Sequence, residues 1–395
     1  MKRRYYSYLT IVCIITIAIV AACKQSFEPD VQSTGTNYLV VDGFVNCGSD
    51  STTLNLSRTV PLSQKQSVKS ETGATVSIES STGIFYNLKE TKPGKYQAAG
   101  LNLPLTTTYR LNIKTSNGKI YQSEFVPAKV TPPVDSITYR RTMDGLQIEA
   151  SAHDAANKTV YYRWTYDETW KYHAGKYSFY EYFTNPPPFT PPISDRVHIF
   201  YYCYRSAFAN RIILGSTVKF ANDVISKSPI NFIENRSERI SEKYSINIKQ
   251  YALTKEAYEF WDSQRKNTEQ LGGIFDPQPS ELKSNIRCLT TPAEPVIGFV
   301  SISTETQKRT FIEPGQVNWE QPPNDHCVNL DTILYVGKKT VVEYLYHAPG
   351  KKPLLIPVDK LVDANNTIIG YLSAEEYCTD CRLSGGTLTP PPFWQ

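Results

Sequence analysis

From Tyr38 onward apolar and polar residues alternate with period two, the spacing of strands that bury one face. Tyr38, Val40 and Gly43 to Val45 open one strand, Leu54 and Leu56 a second, Val76 and Ile78 a third, and Phe85 to Leu88 a fourth. The clearest unit is "TYRLNIKTSNGKIYQSEFV", residues 108–126. Tyr109, Leu111 and Ile113 alternate, Asn117-Gly118 supplies the positive φ of a tight turn, and Tyr121, Ser123 and Phe125 return. Just upstream, Leu103 and Tyr109 stand where immunoglobulin-like sandwiches place a tyrosine corner. Roughly seven short strands over residues 37–130 predict an immunoglobulin/fibronectin-III-like β-sandwich. The prolines of "PAKVTPPVD", residues 127–135, end it, because they remove ladder donors and stiffen the link.

Beyond the linker, "SITYRR", "GLQIEAS" and "TVYYRWTY" repeat the strand and turn logic, which predicts a larger, second β-rich domain over 131–395. An insertion at about 164–290 interrupts it. Its first part is crowded with aromatics and contains "NPPPFTPPI", whose prolines forbid a central strand. Its second part, "LTKEAYEFWDSQRKNTEQLG", changes to helical period. Leu253, Ala257, Phe260, Trp261 and Leu271 share one face, Thr254 is placed to cap the start, and Gly272-Gly273 to stop it. Strand patterns resume at "PVIGFVSIS", where Gly298 allows a bulge or close approach, and at "VVEYLYH".

The N-terminus has a different pattern. Lys2, Arg3 and Arg4 precede an apolar run from about Tyr8 to Val20, then Ala21, Ala22 and Cys23. The run is shorter than the roughly 20 residues a spanning helix needs, so residues 1–22 read as an export signal. A cysteine directly after the two alanines resembles a bacterial lipobox, in which the thiol is acylated and becomes the new N-terminus. Several acyl chains, at about 0.8 kcal/mol per buried CH₂, would hold such a protein on its membrane. Residues 23–36 then form a flexible tether. Glu28 and Asp30 follow the anchor closely, as acidic residues do in some surface-exported lipoproteins. The expected location is the outer membrane, facing the cell surface. Loss of Lys2, Arg3 and Arg4 lowers the formal net charge from +4 to +1, which leaves no field to recruit nucleic acid.

An exported chain rich in Tyr and Thr and poor in Met suits extracellular β structure, and it changes how the cysteines read. Cys47, Cys203, Cys288, Cys327, Cys378 and Cys381 form an even set of disulfide candidates. Cys327 is expected to pair with Cys378 or Cys381, and Cys203 with Cys288, pinning the tail 378–395 and the insertion. A zinc site from His326, Cys327, Cys378 and Cys381 is the competing reading. It is disfavoured because zinc thiolates suit reducing compartments and His326 adjoins Cys327 instead of standing at ligand spacing. No metal or other cofactor is expected. No GxSxG or HExxH occurs, and the five histidines stand far apart, so no catalytic residue is assigned. The binding candidates are aromatic: Trp164, Trp170, Tyr172, Tyr177, Phe179, Tyr180, Tyr182 and Phe183, which offer rigid amphipathic area to a partner, glycan or peptide.

Four segments resemble one family. They are "SNGKIYQSEFVPAKVTPPVDSI", "GGIFDPQPSELKSNI", "PAEPVIGFVSIS" and the terminal "CTDCRLSGGTLTPPPFW". In order and spacing they look like the uncharacterised Bacteroidota lipoproteins grouped as domain of unknown function 4249. Members are commonly encoded beside TonB-dependent outer-membrane receptors. The resemblance therefore implies a non-enzymatic accessory or substrate-binding partner of such a transporter, with a structural or adhesive surface protein, or a polymer-degrading enzyme, as alternatives. The first step of this reading has a direct check: Cys23→Ala should move the protein from the membrane fraction to the soluble one or stall its processing. Unchanged membrane retention would refute it.

Overall fold

A computed structural model describes residues 37–60, 68–182, 193–269, 283–322, 327–334 and 355–394. The chain is mainly β, in two large sandwiches and a small third unit. Cys23, the tether, the "GGIFDPQP" segment and "VVEYLYH" lie outside the described residues.

The first sandwich is built from strands Leu39–Asn46, Thr52–Arg58, Thr75–Ser80, Phe85–Lys92, Lys95–Ala98, Thr108–Lys114 and Ile120–Ser123. Phe85–Lys92 joins its two layers. Its first half pairs with Thr75–Ser80, with Leu88 opposite Val76, and its second half with Lys95–Ala98, with Glu90 opposite Tyr96. The alternating residues Leu54, Leu56, Val76, Ile78, Leu111 and Ile113 meet in one core. Tyr109 forms the expected corner: its hydroxyl donates to the Pro104 carbonyl at 2.8 Å, beside buried Leu103. The hairpin also forms, with Gly118 at φ 85° and the Thr115 hydroxyl donating to Asn117 Oδ1 at 2.6 Å.

A division of the chain at residue 130 does not hold in space. Strands Ile286–Cys288, Ile297–Gly298 and Ile302–Ser303 leave the second unit and complete the first sandwich. Ile286–Cys288 runs antiparallel to Ile120–Ser123, and the other two run parallel to Leu39–Asn46. The physical reason is that Leu39–Asn46 and Ile120–Ser123 would otherwise expose unpaired backbone edges. Gly298 makes the parallel pairing possible: at φ 133°, a Cβ there would stand 2.1 Å from the Val41 carbonyl oxygen. The second sandwich is thus carried on a long crossover between strands of the first.

In that second sandwich, strands Val134–Arg141, Gly145–His153 and Val224–Glu234 cover a larger sheet. The larger sheet centres on Tyr161–His173, which pairs with Lys243–Leu253 on one side and with Tyr202–Phe208 and Ile213–Ser216 on the other. Glu305–Ile312 extends it beyond Lys243–Leu253. The expected strand-poor insertion from Trp164 is therefore corrected, because its first ten residues belong to the central strand of this sheet. Its aromatics fall on every second position, with Tyr162, Trp164 and Tyr166 turned into the core. The helix forms at Lys255–Glu269, where the Ala257 amide donates to the Thr254 hydroxyl at 3.2 Å. Ala257 and Phe260 pack on Leu253 and Phe299, and the Arg163 guanidinium lies 3.8 Å from the Trp261 ring centre.

The third unit holds strands Asp331–Leu334, Leu355–Val362 and Ile368–Glu375, followed by a short helix, Glu376–Thr379, and a 3-10 turn, Cys381–Ser384. Two disulfides secure it: Cys327–Cys378 and Cys203–Cys381, each with Cα atoms 5.7 Å apart. The expected Cys203–Cys288 pair is not formed. Cys288 sits on a strand of the first sandwich, and it and Cys47 are buried free thiols. Burial pushes the Cys47 thiol up to about 11. Past Cys381 the tail lies along the outside of the larger sheet, where Thr387 bridges to Tyr204, Trp394 packs on Tyr204 and Phe311, and Phe393 lies 3.6 Å from Arg309.

Peptide mass spectrometry without reduction should recover Cys203–Cys381 and Cys327–Cys378 as linked pairs. Cys47 and Cys288 should take up an alkylating reagent only after unfolding; rapid labelling of either in the native protein would contradict their burial.

Candidate functional site

The eight aromatic candidates divide by where the fold places them: three on the central strand, the rest beyond its end. Trp164, Trp170 and Tyr172 are 0%, 4% and 3% exposed and belong to the second core, so they are withdrawn as partner contacts. Each polar atom is satisfied inside the protein. Trp164 Nε1 donates to Gln250 Oε1 at 2.8 Å, Trp170 Nε1 to Glu238 Oε1 at 3.1 Å, and the Tyr172 hydroxyl to the Cys381 carbonyl at 2.7 Å. Tyr180 is half-buried against Tyr371, with ring centres 5.3 Å apart. Tyr182 ends the strand Tyr180–Tyr182, and Phe183 lies outside the described residues.

Tyr177 and Phe179 remain, and the fold gives them neighbours that the sequence pattern did not single out. Tyr202 begins the strand that pairs with the end of the central strand, with Tyr201 just before it, so His173 faces Tyr202 across the ladder. The rings form a continuous cluster: Phe179 to Tyr177 at 4.7 Å, Tyr177 to Tyr201 at 5.2 Å, Tyr201 to Tyr202 at 4.7 Å, and Tyr201 to His173 at 4.9 Å. Lys171 Nζ stands 3.9 Å from the centre of the Tyr202 ring. Burial raises the pKa of both the Tyr201 and the Tyr202 hydroxyl, which keeps the rings neutral. Phe179 is 55% and Tyr202 41% exposed, and Val197 and Ile199 beside them are exposed as well.

This patch is held by the junction between the second sandwich and the third unit. Backbone hydrogen bonds run from Ala174 to Tyr201 at 2.8 Å, from Phe179 to Val358 at 3.2 Å and from Lys176 to Cys378 at 2.7 Å. Close by, Phe200 is held between the Arg382 and Arg196 guanidinium groups, at 3.5 and 5.2 Å. Both disulfides anchor residues of this junction, so the exposed rings are fixed in place before any partner arrives.

The buried carboxylates serve the core instead. Glu168 accepts from the Tyr244 hydroxyl at 2.7 Å and from Asn231 Nδ2 at 3.1 Å, with Arg239 at 3.3 Å. Asp223 accepts from the Tyr162 hydroxyl at 2.9 Å and the Thr217 hydroxyl at 2.7 Å. Among the described residues no three His, Cys, Asp or Glu side chains gather to hold a metal ion. Of the proposed zinc ligands, Cys327, Cys378 and Cys381 are in disulfides and His326 lies outside the described residues.

Interlocked sandwiches with a disulfide-clamped third unit and a rigid aromatic surface define a multi-unit, mainly β protein. The chain belongs to the family described as domain of unknown function (DUF4249), whose model matches residues 24–309, from the tether through the second sandwich. No curated protein matches the sequence.

Phe179→Ala and Tyr202→Ala should each change stability by only about 0.5 kcal/mol, as surface substitutions do. Trp170→Ala should cost about 3–5 kcal/mol. Chemical denaturation measures both, and a comparable loss from the first two would make the patch a part of the core.

Proposed function

We propose that the chain is an outer-membrane lipoprotein, anchored at Cys23 and exposed on the cell surface. It serves a TonB-dependent outer-membrane transporter as a non-enzymatic accessory or substrate-binding partner. The observation that carries this reading is the fixed patch of Tyr177, Phe179, Tyr201 and Tyr202. Rigid Tyr and Phe rings give contact area at little entropic cost, and a contiguous exposed apolar patch marks an interaction surface. The extracellular loops of a barrel would cover it, and a glycan or peptide on its way to the barrel would stack on the same rings. The export-signal pattern before Cys23 supports the anchor.

The test is purification from detergent-solubilised membranes through a tag on this chain. An outer-membrane barrel should co-purify, and Phe179→Ala with Tyr202→Ala should lower its recovery several-fold while the thermal midpoint of the chain stays put. Absence of any barrel with the wild-type chain would sink the transporter reading and leave a structural or adhesive surface protein.

A further inference from the structure

A second feature stands apart from the aromatic patch. A cleft of about 1200 Å³ opens where the first sandwich meets the helix Lys255–Glu269. Its floor is apolar, with Val126 and Phe299 from the first sandwich and Leu253 and Phe260 from the second unit. Five lysines and four carboxylates line it. Two of those carboxylates are already in ion pairs. Glu259 faces Lys255 at 3.7 Å, and Asp262 faces Arg265 at 2.5 Å and Lys266 at 2.7 Å. Glu256 is held below the usual carboxylate range by a backbone hydrogen bond at its own amide and by the Thr254 hydroxyl, with Lys255 and Lys129 adding to the effect.

Lys158 and Lys283 are exposed, and they and Lys129 on the first sandwich make no ion pair among the described residues; Lys129 also helps to lower the pKa of the nearby Glu256. These three come from three separate stretches of chain, and the fold brings them around one apolar floor. Against these three lysines, the lining carboxylates that are in no ion pair among the described residues are Glu124 and Glu256. The rim therefore favours carboxylates, and the floor favours apolar side chains. The volume exceeds the roughly 300–1,000 Å³ of small-molecule pockets, so it suits a length of chain. From this geometry we infer that the cleft is a binding site for an acidic peptide segment with interspersed apolar side chains, its carboxylates on Lys129, Lys158 and Lys283 and its apolar groups on Phe260 and Phe299.

The inference stands independently of the transporter reading, because it concerns the isolated chain. A fluorescein-labelled Glu-Phe-Glu-Leu-Glu-Phe peptide, titrated with the full chain and followed by anisotropy, should bind saturably and weaken as salt rises. Lys129→Glu, Lys158→Glu and Lys283→Glu together should weaken it at least tenfold, and replacing each Glu of the peptide by Lys should abolish binding to the wild-type chain. If the triple variant does not fold, Lys158→Glu with Lys283→Glu, both at exposed positions, carries the test. No saturation at millimolar concentration, or equal affinity for wild type and lysine variants, overturns the proposal. So does loss of binding in Phe179→Ala with Tyr202→Ala, which would place the peptide on the aromatic patch.

Discussion

The structure depends on a place where the chain passes twice, side by side, between its two sandwiches. Lys129 and Ser303 form a parallel bridge, the Lys129 amide donates to Ile302 at 3.0 Å, and the Thr304 amide donates to Lys129 at 3.0 Å. Two residues on, Thr131 is bonded to Thr304 through both backbone and hydroxyl, and its hydroxyl oxygen accepts from the Ala252 amide at 2.9 Å. The Pro132 carbonyl then takes the Gln250 side-chain amide at 2.8 Å, and that same Gln250 accepts from Trp164. A continuous run of hydrogen bonds thus connects the crossing to the middle of the second core. With two neighbouring connections and the Phe44–Tyr251 ring contact at 4.5 Å, the sandwiches have no single flexible linker on which to swing. The cleft between them inherits this rigidity.

What could be read from the sequence was local. The Asn117-Gly118 hairpin, the Tyr109 corner and the Thr254 cap each depend on residues within a few positions of one another, and each forms. What escaped depends on partners far along the chain. Nothing in "PVIGFVSIS" says that Ile297 will lie beside Val40, because a strand's pattern names its buried face and not its neighbour. The aromatic stretch misled for a related reason. Crowded tyrosines and tryptophans suggest a surface in need of cover, yet their spacing of two places Trp164 and Tyr166 in a sheet interior. Tyr201 and Tyr202 were passed over because pairing with the end of the central strand, a matter of register, puts them next to Tyr177.

The second core is more polar than its aromatic content suggests. The Tyr166 hydroxyl donates to Asn231, which with Tyr244 serves the carboxylate of Glu168, and Arg239 both pairs with that carboxylate and stacks on Trp170. From the other side Arg205 approaches Trp170 and Tyr172 and pairs with Glu238 at 2.6 Å. Such a network tolerates few alternative packings, since shifting one ring leaves several buried donors without acceptors. Rings on the inward positions of Tyr161–His173 therefore fix the strand whose end carries His173 against the Tyr201 ring of the exposed patch.

The bond between Cys203 and Cys381 also has a meaning in time. A chain is made from its N-terminus, so Cys203 exists 178 residues before its partner. Along the chain the cysteine nearest to Cys203 is Cys288, which precedes Cys381 and ends in a different sandwich with its sulfur enclosed. In the folded chain, the pairing of Ile286–Cys288 with the first sheet holds this earlier thiol away from Cys203. The pairing of one short strand in the first sandwich thus leaves Cys203 to the cysteine that comes last.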